Sequence, residues 1–270
     1  MKKKERLLKK IYSDIKAVKV QGATNVAKAA IKAYSMKPTK QNKKKLLSLR
    51  PTEPTLSNAL NQLDKLGKKK VLEHFKQAQD KINKHVFKVI RSGDVVYTHC
   101  RSTNVIKALL YARKKGKKFE VYNTETRPLY QGRKTAKELR KGGIKVTTFV
   151  DAAAAIALEK KQKTRKTDIV LLGADAILKD GVINKVGSGL IAELAYLHKI
   201  SFYIVADSWK FSPRNVKIEE RDFEEVWERA PKRIKIRNPA FEKINKKYVK
   251  GIISEKGILK YGEFLKKMKK

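Results

Sequence analysis

The chain has 270 residues, 41% of them hydrophobic, with ten Tyr, two Trp and a single Cys. That length buries a sizeable core as one large or two modest domains, and one thiol excludes an internal disulfide or a cysteine-rich zinc site. The formal net charge of +40 at pH 7 has two readings, a phosphate-rich partner or a surface decorated with lysine throughout. The lysines fall in short scattered runs such as Lys43-Lys44-Lys45 and Lys68-Lys69-Lys70, which favours the second reading. Nonspecific nucleic-acid binding at low salt is still expected.

Residues 2–92 read as helical. Leu7, Leu8, Ile11, Ile15 and Val18 recur at three- and four-residue spacing, as do Val26, Ala27, Ala30, Ile31 and Tyr34. Pro38, Pro51 and Pro54 punctuate the region before Leu56, Leu60, Leu63, Leu72, Phe75, Ile82, Val86 and Ile90 resume the pattern. This predicts a helical N-terminal domain over 1–92, joined through Ser92-Gly93-Asp94. No apolar run of membrane-spanning length follows the basic N-terminus, so the expected compartment is a reducing cytoplasm.

Beyond Asp94 the period changes. Strand-like runs at 95–99, 119–124, 145–150, 169–173 and 201–206 alternate with helical stretches at 104–115, 134–141, 152–159 and 189–198. Such alternation predicts an α/β fold in which 93–270 form a Rossmann-like domain, an open parallel sheet covered on both faces. A further strand is expected at 249–254, and Lys266-Lys267-Met268-Lys269-Lys270 as a frayed basic tail. Sites in such sheets lie at the C-terminal strand ends. Cys100, Glu125, Asp151, Asp175 and Asp207 all fall there, which predicts that five strand ends carry polar groups to one rim.

Cys100 lies between a strand and a helix. The helix N-terminus and Arg101 both favour its thiolate, although a lone cysteine is often only a small buried hydrophobe. Its polar neighbours His99, Arg101, Ser102 and Thr103 argue against that. Asp175 follows the apolar strand 169–173, where desolvation raises a carboxyl pKa; the competing role is a turn cap. Together they make a plausible proton-transfer pair. Arg101-Ser102-Thr103, Thr126-Arg127-Pro128 and the run from Asn184-Lys185 to Gly189 are candidate anion-binding elements at helix starts or strand ends. Gly187-Ser188-Gly189-Leu190-Ile191-Ala192 matches a dinucleotide fingerprint, but it does not directly follow the first strand of a unit, so a nicotinamide cofactor is not expected. Four scattered histidines show no metal-ligand spacing, and no metal is expected.

As a set, Thr98-His99-Cys100, Thr124-Glu125-Thr126-Arg127-Pro128, Val150-Asp151-Ala152-Ala153, Gly173-Ala174-Asp175, Asn184-Lys185-Val186-Gly187 and Lys210-Phe211-Ser212-Pro213 resemble one family. It includes translation initiation factor 2B subunits, methylthioribose-1-phosphate isomerase and archaeal ribose-1,5-bisphosphate isomerase. The resemblance extends to Gln21-Gly22-Ala23, Arg50-Pro51-Thr52, Gln131-Gly132 and Ile236-Arg237-Asn238-Pro239-Ala240-Phe241, and so covers nearly the whole chain. Having both Cys100 and Asp175 is similar to the catalytic branches, and the short N-terminal domain is most similar to the ribose-1,5-bisphosphate enzyme.

That resemblance implies conversion of ribose 1,5-bisphosphate to ribulose 1,5-bisphosphate in nucleotide salvage. Cys100 would carry the carbon-bound proton and Asp175 would serve the sugar oxygens. It further implies substrate binding by Gln21, Gly22, Ala23, Thr24, Arg50, Arg101, Ser102, Arg127, Asn184, Lys185 and Lys210, no cofactor, AMP as an activator, and a homodimer or homohexamer. Gln21 stands where the isomerases usually place Arg, and Gln21-Gly22-Ala23-Thr24 looks more like the initiation-factor subunits. The alternative is therefore a regulatory subunit that binds initiation factor 2 without catalysis, with methylthioribose-1-phosphate isomerase as a third reading.

Overall fold

The computed structural model describes residues 2–17, 19–20, 22–218 and 220–269. Four helices open the chain: α1 (Lys2–Lys16), α2 (Ala23–Met36), α3 (Lys40–Leu49) and α4 (Pro54–Val89). Each start or stop has a local cause. Thr39 caps α3 by accepting the Asn42 N–H at 3.2 Å. Pro54 occupies the first turn of α4, where its missing N–H costs nothing. Gly67, at φ 76° and ψ 160°, breaks α4 because only glycine takes that conformation without strain. Ile11, Ile15, Val26, Ile31, Leu46, Leu56, Leu60 and Phe75 form the helical core. The last turns of α4 belong elsewhere: Ile82, Val86 and Ile90 share a core with Val96, Leu109, Val121 and Leu171.

The remainder alternates β1 (Val95–Thr98), α5 (Thr103–Lys114), β2 (Glu120–Thr124), α6 (Gln131–Lys141), β3 (Lys145–Phe149), a 3₁₀ turn at Asp151–Ala153 and α7 (Ala154–Leu158). There follow β4 (Ile169–Leu172), β5 (Ala176–Ile177), β6 (Gly181–Lys185), α8 (Ser188–Leu197), β7 (Ser201–Val205), β8 (Phe241–Asn245), β9 (Gly251–Ser254), β10 (Gly257–Leu259) and α9 (Tyr261–Lys269). The main sheet has the order β10-β9-β7-β4-β1-β2-β3 and is parallel except for β10. Fully buried strands such as Val95–Thr98 and Ile169–Leu172 read as continuous apolar runs because helices cover both faces.

The chain winds outward from β1 in both directions, through β2 and β3 on one side and through β4, β7 and β9 on the other. The switch point is the crevice beyond the C-terminal ends of β1 and β4, where ligands enter such sheets. With Tyr97 paired to Val170, Cys100 and Asp175 lie three and five residues past that register, at this crevice.

Three expectations are corrected. Asn184 and Lys185 lie on β6, inside a second sheet of order β5-β6-β8, rather than in a loop leading to a helix. Residues 152–159 form a 3₁₀ turn and the short α7. The terminal lysines belong to α9, whose Phe264 is fully buried and stacks edge-on to Phe211 with ring centroids 6.3 Å apart; that apolar anchor docks what charge alone would fray. No helix among the described residues is long and apolar enough to cross a membrane.

Candidate active site

A cavity of about 130 Å³ opens at the switch point. Its walls come from both halves of the chain. Gly22, Ala23 and Thr24 start α2, Arg50 ends α3, and Cys100, Arg101 and Ser102 form the β1–α5 turn. Asp175 follows β4, Asn184 and Lys185 end β6, and Lys210 follows β7. Gln21 lies outside the described residues. Arg127 is not part of the lining: its guanidinium donates to the Tyr130 hydroxyl at 2.5 Å and the Val226 carbonyl at 3.1 Å.

The thiol is held by backbone geometry. Cys100 has φ 60°, a left-handed conformation that costs a non-glycine residue about 1–3 kcal/mol and persists only where neighbours over-determine it. Two threonines do so. Thr126 Oγ1 accepts the Cys100 N–H at 3.0 Å, and Thr135 Oγ1, on α6, donates to the Cys100 carbonyl at 2.7 Å. Thr126 is itself left-handed at φ 63° and is fixed by Asp151, whose carboxylate accepts the N–H groups of Thr126 at 2.9 Å and Arg127 at 2.6 Å. Gly173 completes the fit, since a Cβ there would lie 2.6 Å from the Ser102 side chain.

Of the five strand-end polar residues, the cavity collects only Cys100 and Asp175. Asp151 is spent on the buttress just described. Glu125 pairs with Arg133 at 2.5 Å, and Asp207 receives His74 Nε2 from α4 at 3.0 Å. His99, next to the thiol in sequence, is structural as well. Its Nε2 donates to the Val186 carbonyl at 2.9 Å, so Nδ1 accepts from Thr124 Oγ1 at 2.5 Å. Burial pushes its pKa below the ordinary value and keeps the imidazole neutral.

The electrostatics reverse the expectation for the thiol. Burial pushes the Cys100 pKa up, to about 12, and the neighbouring Asp175 and Asp151 carboxylates raise it further; the Arg101 N–H and Lys185 pull the other way but do not win. The Arg101 guanidinium gives Nε to Glu138 on α6 at 2.7 Å, so its charge is partly neutralised away from the sulfur. The resting group is therefore the neutral thiol. Lys185 is buried, and desolvation lowers its pKa, an effect opposed by the Glu225 and Asp175 carboxylates. Thiol and amine are thus each shifted toward their neutral forms, with a carboxylate beside both.

Around this trio the cavity is cationic. The starts of α2 and α5 both face it: Gly22 (φ 86°) sits so that a Cβ would lie 3.7 Å from Thr103 Oγ1. Two helix N-termini present partial positive charge and N–H donors to an anion. Arg50 is buried and paired with Glu53 at 2.7 Å, and the buried Lys210 ammonium donates to the Ala174 carbonyl. The glycine-rich start of α8 is used differently, because Gly189 N–H already donates to Glu242 at 2.8 Å. Among the described residues no group of three or more His, Cys, Asp or Glu is placed to hold a metal.

Asn104, Gln131 and Arg221 line the cavity too; the sequence marks Gln131 only as part of a family motif and gives the other two no role. Arg221 belongs to an irregular stretch with no period to mark it. Gln131 and Asn104 open α6 and α5, where a helix-start signal was available for each.

A family model described as the initiation factor 2 subunit family matches residues 5–261. A Methanocaldococcus jannaschii protein named ribose 1,5-bisphosphate isomerase is 34% identical over 252 residues, 82% of this chain and 80% of that one. A Pyrococcus furiosus protein named putative translation initiation factor eIF-2B subunit 2-like is 30% identical over 271 residues, 93% of this chain and 95% of that one. The crystal structure of the Pyrococcus horikoshii OT3 translation initiation factor eIF-2B superposes with a TM-score of 0.81 at 28% identity, covering 95% of this chain and 97% of that one.

Proposed function

The chain belongs to the initiation factor 2 subunit family, and from that premise we propose that it is an aldose–ketose isomerase converting ribose 1,5-bisphosphate to ribulose 1,5-bisphosphate. The observation that carries the reading is the convergence of Cys100 and Asp175 in one cationic cavity at the sheet's switch point. A regulatory subunit has no need of a strained, twice-buttressed thiol beside a carboxylate. The relatives named ribose 1,5-bisphosphate isomerase support the substrate class.

In this reading Asp175, once it has taken up a proton, passes it to the ring oxygen as the C1–O4 bond breaks, leaving an oxocarbenium at C1. The Cys100 thiolate takes the C2 proton, forming a C1=C2 enol phosphate, and returns that proton to C1 while Asp175 recovers one from the C2 hydroxyl. Bonds and protons balance, and the phosphate stays on O1. Because burial holds the resting thiol protonated, the reactive thiolate is a minor form that the Lys185 charge favours. The helix starts, Arg50, Lys185 and Lys210 hold the phosphates. AMP activation and assembly as a dimer or hexamer belong to the same proposal.

Purified protein incubated with ribose 1,5-bisphosphate, with and without AMP, should form ribulose 1,5-bisphosphate, and in deuterium oxide the product should be assayed for label at C1. Cys100→Ser should abolish turnover at an unchanged melting temperature. Full activity in that variant removes the thiol from the mechanism. A second reading, a regulatory subunit binding initiation factor 2, is favoured by the near end-to-end match to the eIF-2B subunit 2-like relative. Co-purification with initiation factor 2, combined with no turnover of any pentose phosphate, would select it.

A further inference from the structure

We propose that Arg221 makes this site read a second phosphate, so that it selects a sugar bisphosphate over a monophosphate. The inference rests on the isomerase reading above and assigns a residue that reading does not use.

Arg221 lies on the connection from the Lys210 turn to β8, whose described residues between 212 and 240 hold little regular structure besides a 3₁₀ turn at Phe223–Glu225. Connections this long inside a compact domain are uncommon and are usually functional. This one is tied down on both sides of the cavity. Thr52 Oγ1, from the helical region, donates to the Lys217 carbonyl at 2.7 Å, and Arg127, from the β2–α6 loop, donates to the Val226 carbonyl at 3.1 Å. Between the two anchors, the Arg221 N–H donates to the Asn238 carbonyl at 2.9 Å. The strap therefore carries Arg221 into the cavity wall in a defined position.

The guanidinium is oriented before any ligand arrives. Its Nε lies 2.9 Å from both Glu225 carboxylate oxygens, and Nη2 donates to the same carboxylate. Asn238 Nδ2, at 3.3 Å, steadies Glu225 in turn. A guanidinium presents five donors in a planar fork suited to phosphate, and Glu225 fixes the plane of that fork through Nε and Nη2. Arg221 also sits near enough to the buried Lys185 to disfavour its charge, which Glu225 offsets. Two cations in one desolvated wall are stabilised by an anion between them. This pair is built on β6 and the strap, whereas the helix-start cradle with Arg50 is built on α2, α5 and the end of α3. A monophosphate occupies one such group of donors; a bisphosphate occupies both.

The experiment compares wild type, Arg221→Gln, Arg221→Lys and Glu225→Gln on ribose 1,5-bisphosphate and ribose 1-phosphate. Calorimetric titrations with ribulose 1,5-bisphosphate and ribulose 1-phosphate run in parallel. Arg221→Gln should lower kcat/KM for the bisphosphate about 10- to 100-fold, far more than for the monophosphate, and abolish the preference for the bisphosphate in binding. Arg221→Lys should restore part of both. Glu225→Gln, a positioning variant, should raise KM for the bisphosphate more than it lowers kcat. Equal losses on both substrates, or a binding preference unaltered by Arg221→Gln, overturn the proposal. If wild type binds the bisphosphate preferentially but turns over neither sugar, the isomerase reading fails while the binding data still decide the role of Arg221. If wild type binds neither ligand, both fall.

Discussion

Cys100 is the only cysteine in the chain, so any thiol-specific reagent reports on the candidate active site alone. Burial moves its pKa from about 9 to about 12. At pH 8 the thiolate population of the folded chain is then lower than that of the unfolded chain by about a thousandfold. A more basic thiolate is a better nucleophile, with a Brønsted slope of about 0.4–0.5, which returns part of that factor and leaves alkylation slower by about 50-fold. The assay is iodoacetamide alkylation followed by mass, folded protein against protein in urea, from pH 7 to 11. The unfolded rate should level off above about pH 9, while the folded rate keeps rising to the highest pH reached. Asp175→Asn should shift the folded profile to lower pH, because it removes a charge that raises the thiol, and Lys185→Met should shift it to higher pH. Steric shielding alone slows the folded reaction at every pH without moving its plateau. A folded profile that plateaus with the unfolded one would falsify the electrostatic account.

The same shift has a stability consequence with a definite sign. Between about pH 9 and 12 the folded chain keeps a proton that the unfolded chain has released. Folding stability therefore falls as pH rises through that window, by up to about 1.4 kcal/mol per pH unit from this group.

Three substitutions test the packing around the site. Thr126→Val keeps the shape but removes the acceptor for the Cys100 N–H, which should cost about 1–3 kcal/mol and lower kcat more than it raises KM; thermal unfolding and steady-state kinetics read the two effects. Gly173→Ala places a methyl 2.6 Å from Ser102 and should destabilise by about 1–3 kcal/mol while displacing the β1–α5 turn; an unchanged melting temperature would show the turn to be compliant. Phe264→Ala empties a fully buried position on α9 and should cost about 3–5 kcal/mol by denaturant unfolding; a loss below about 1 kcal/mol would restore the frayed-tail reading.

The parallel sheet was legible because each buried strand is a continuous apolar run, and the helices between them repeat at the right spacing. Cys100 and Asp175 were legible for the same reason, as polar residues at the ends of such runs. Asn184 and Lys185 were misread because β6 ends in polar side chains that serve the cavity, so the apolar run that marks a strand is cut short. α9 was hidden by its lysines, which dilute the signal of Tyr261 and Phe264. The thiol's charge state was misjudged from local sequence. A helix start and an adjacent arginine both favour thiolate, but the desolvation that outweighs them comes from how the turn is packed. Arg221 left no periodic trace, and its position depends on contacts with Thr52, Arg127 and Asn238, each distant in the chain.

The left-handed backbone at Cys100 has an evolutionary consequence. Asn and Gly occupy that conformation more readily than Cys, so either residue at position 100 would relieve about 1–2 kcal/mol of strain. A descendant no longer selected for proton transfer gains stability by discarding the sulfur, and the drift runs downhill. Retaining cysteine at this one position runs against that gradient, which makes residue 100 a readable marker of whether a chain built on this scaffold is still held to its chemistry.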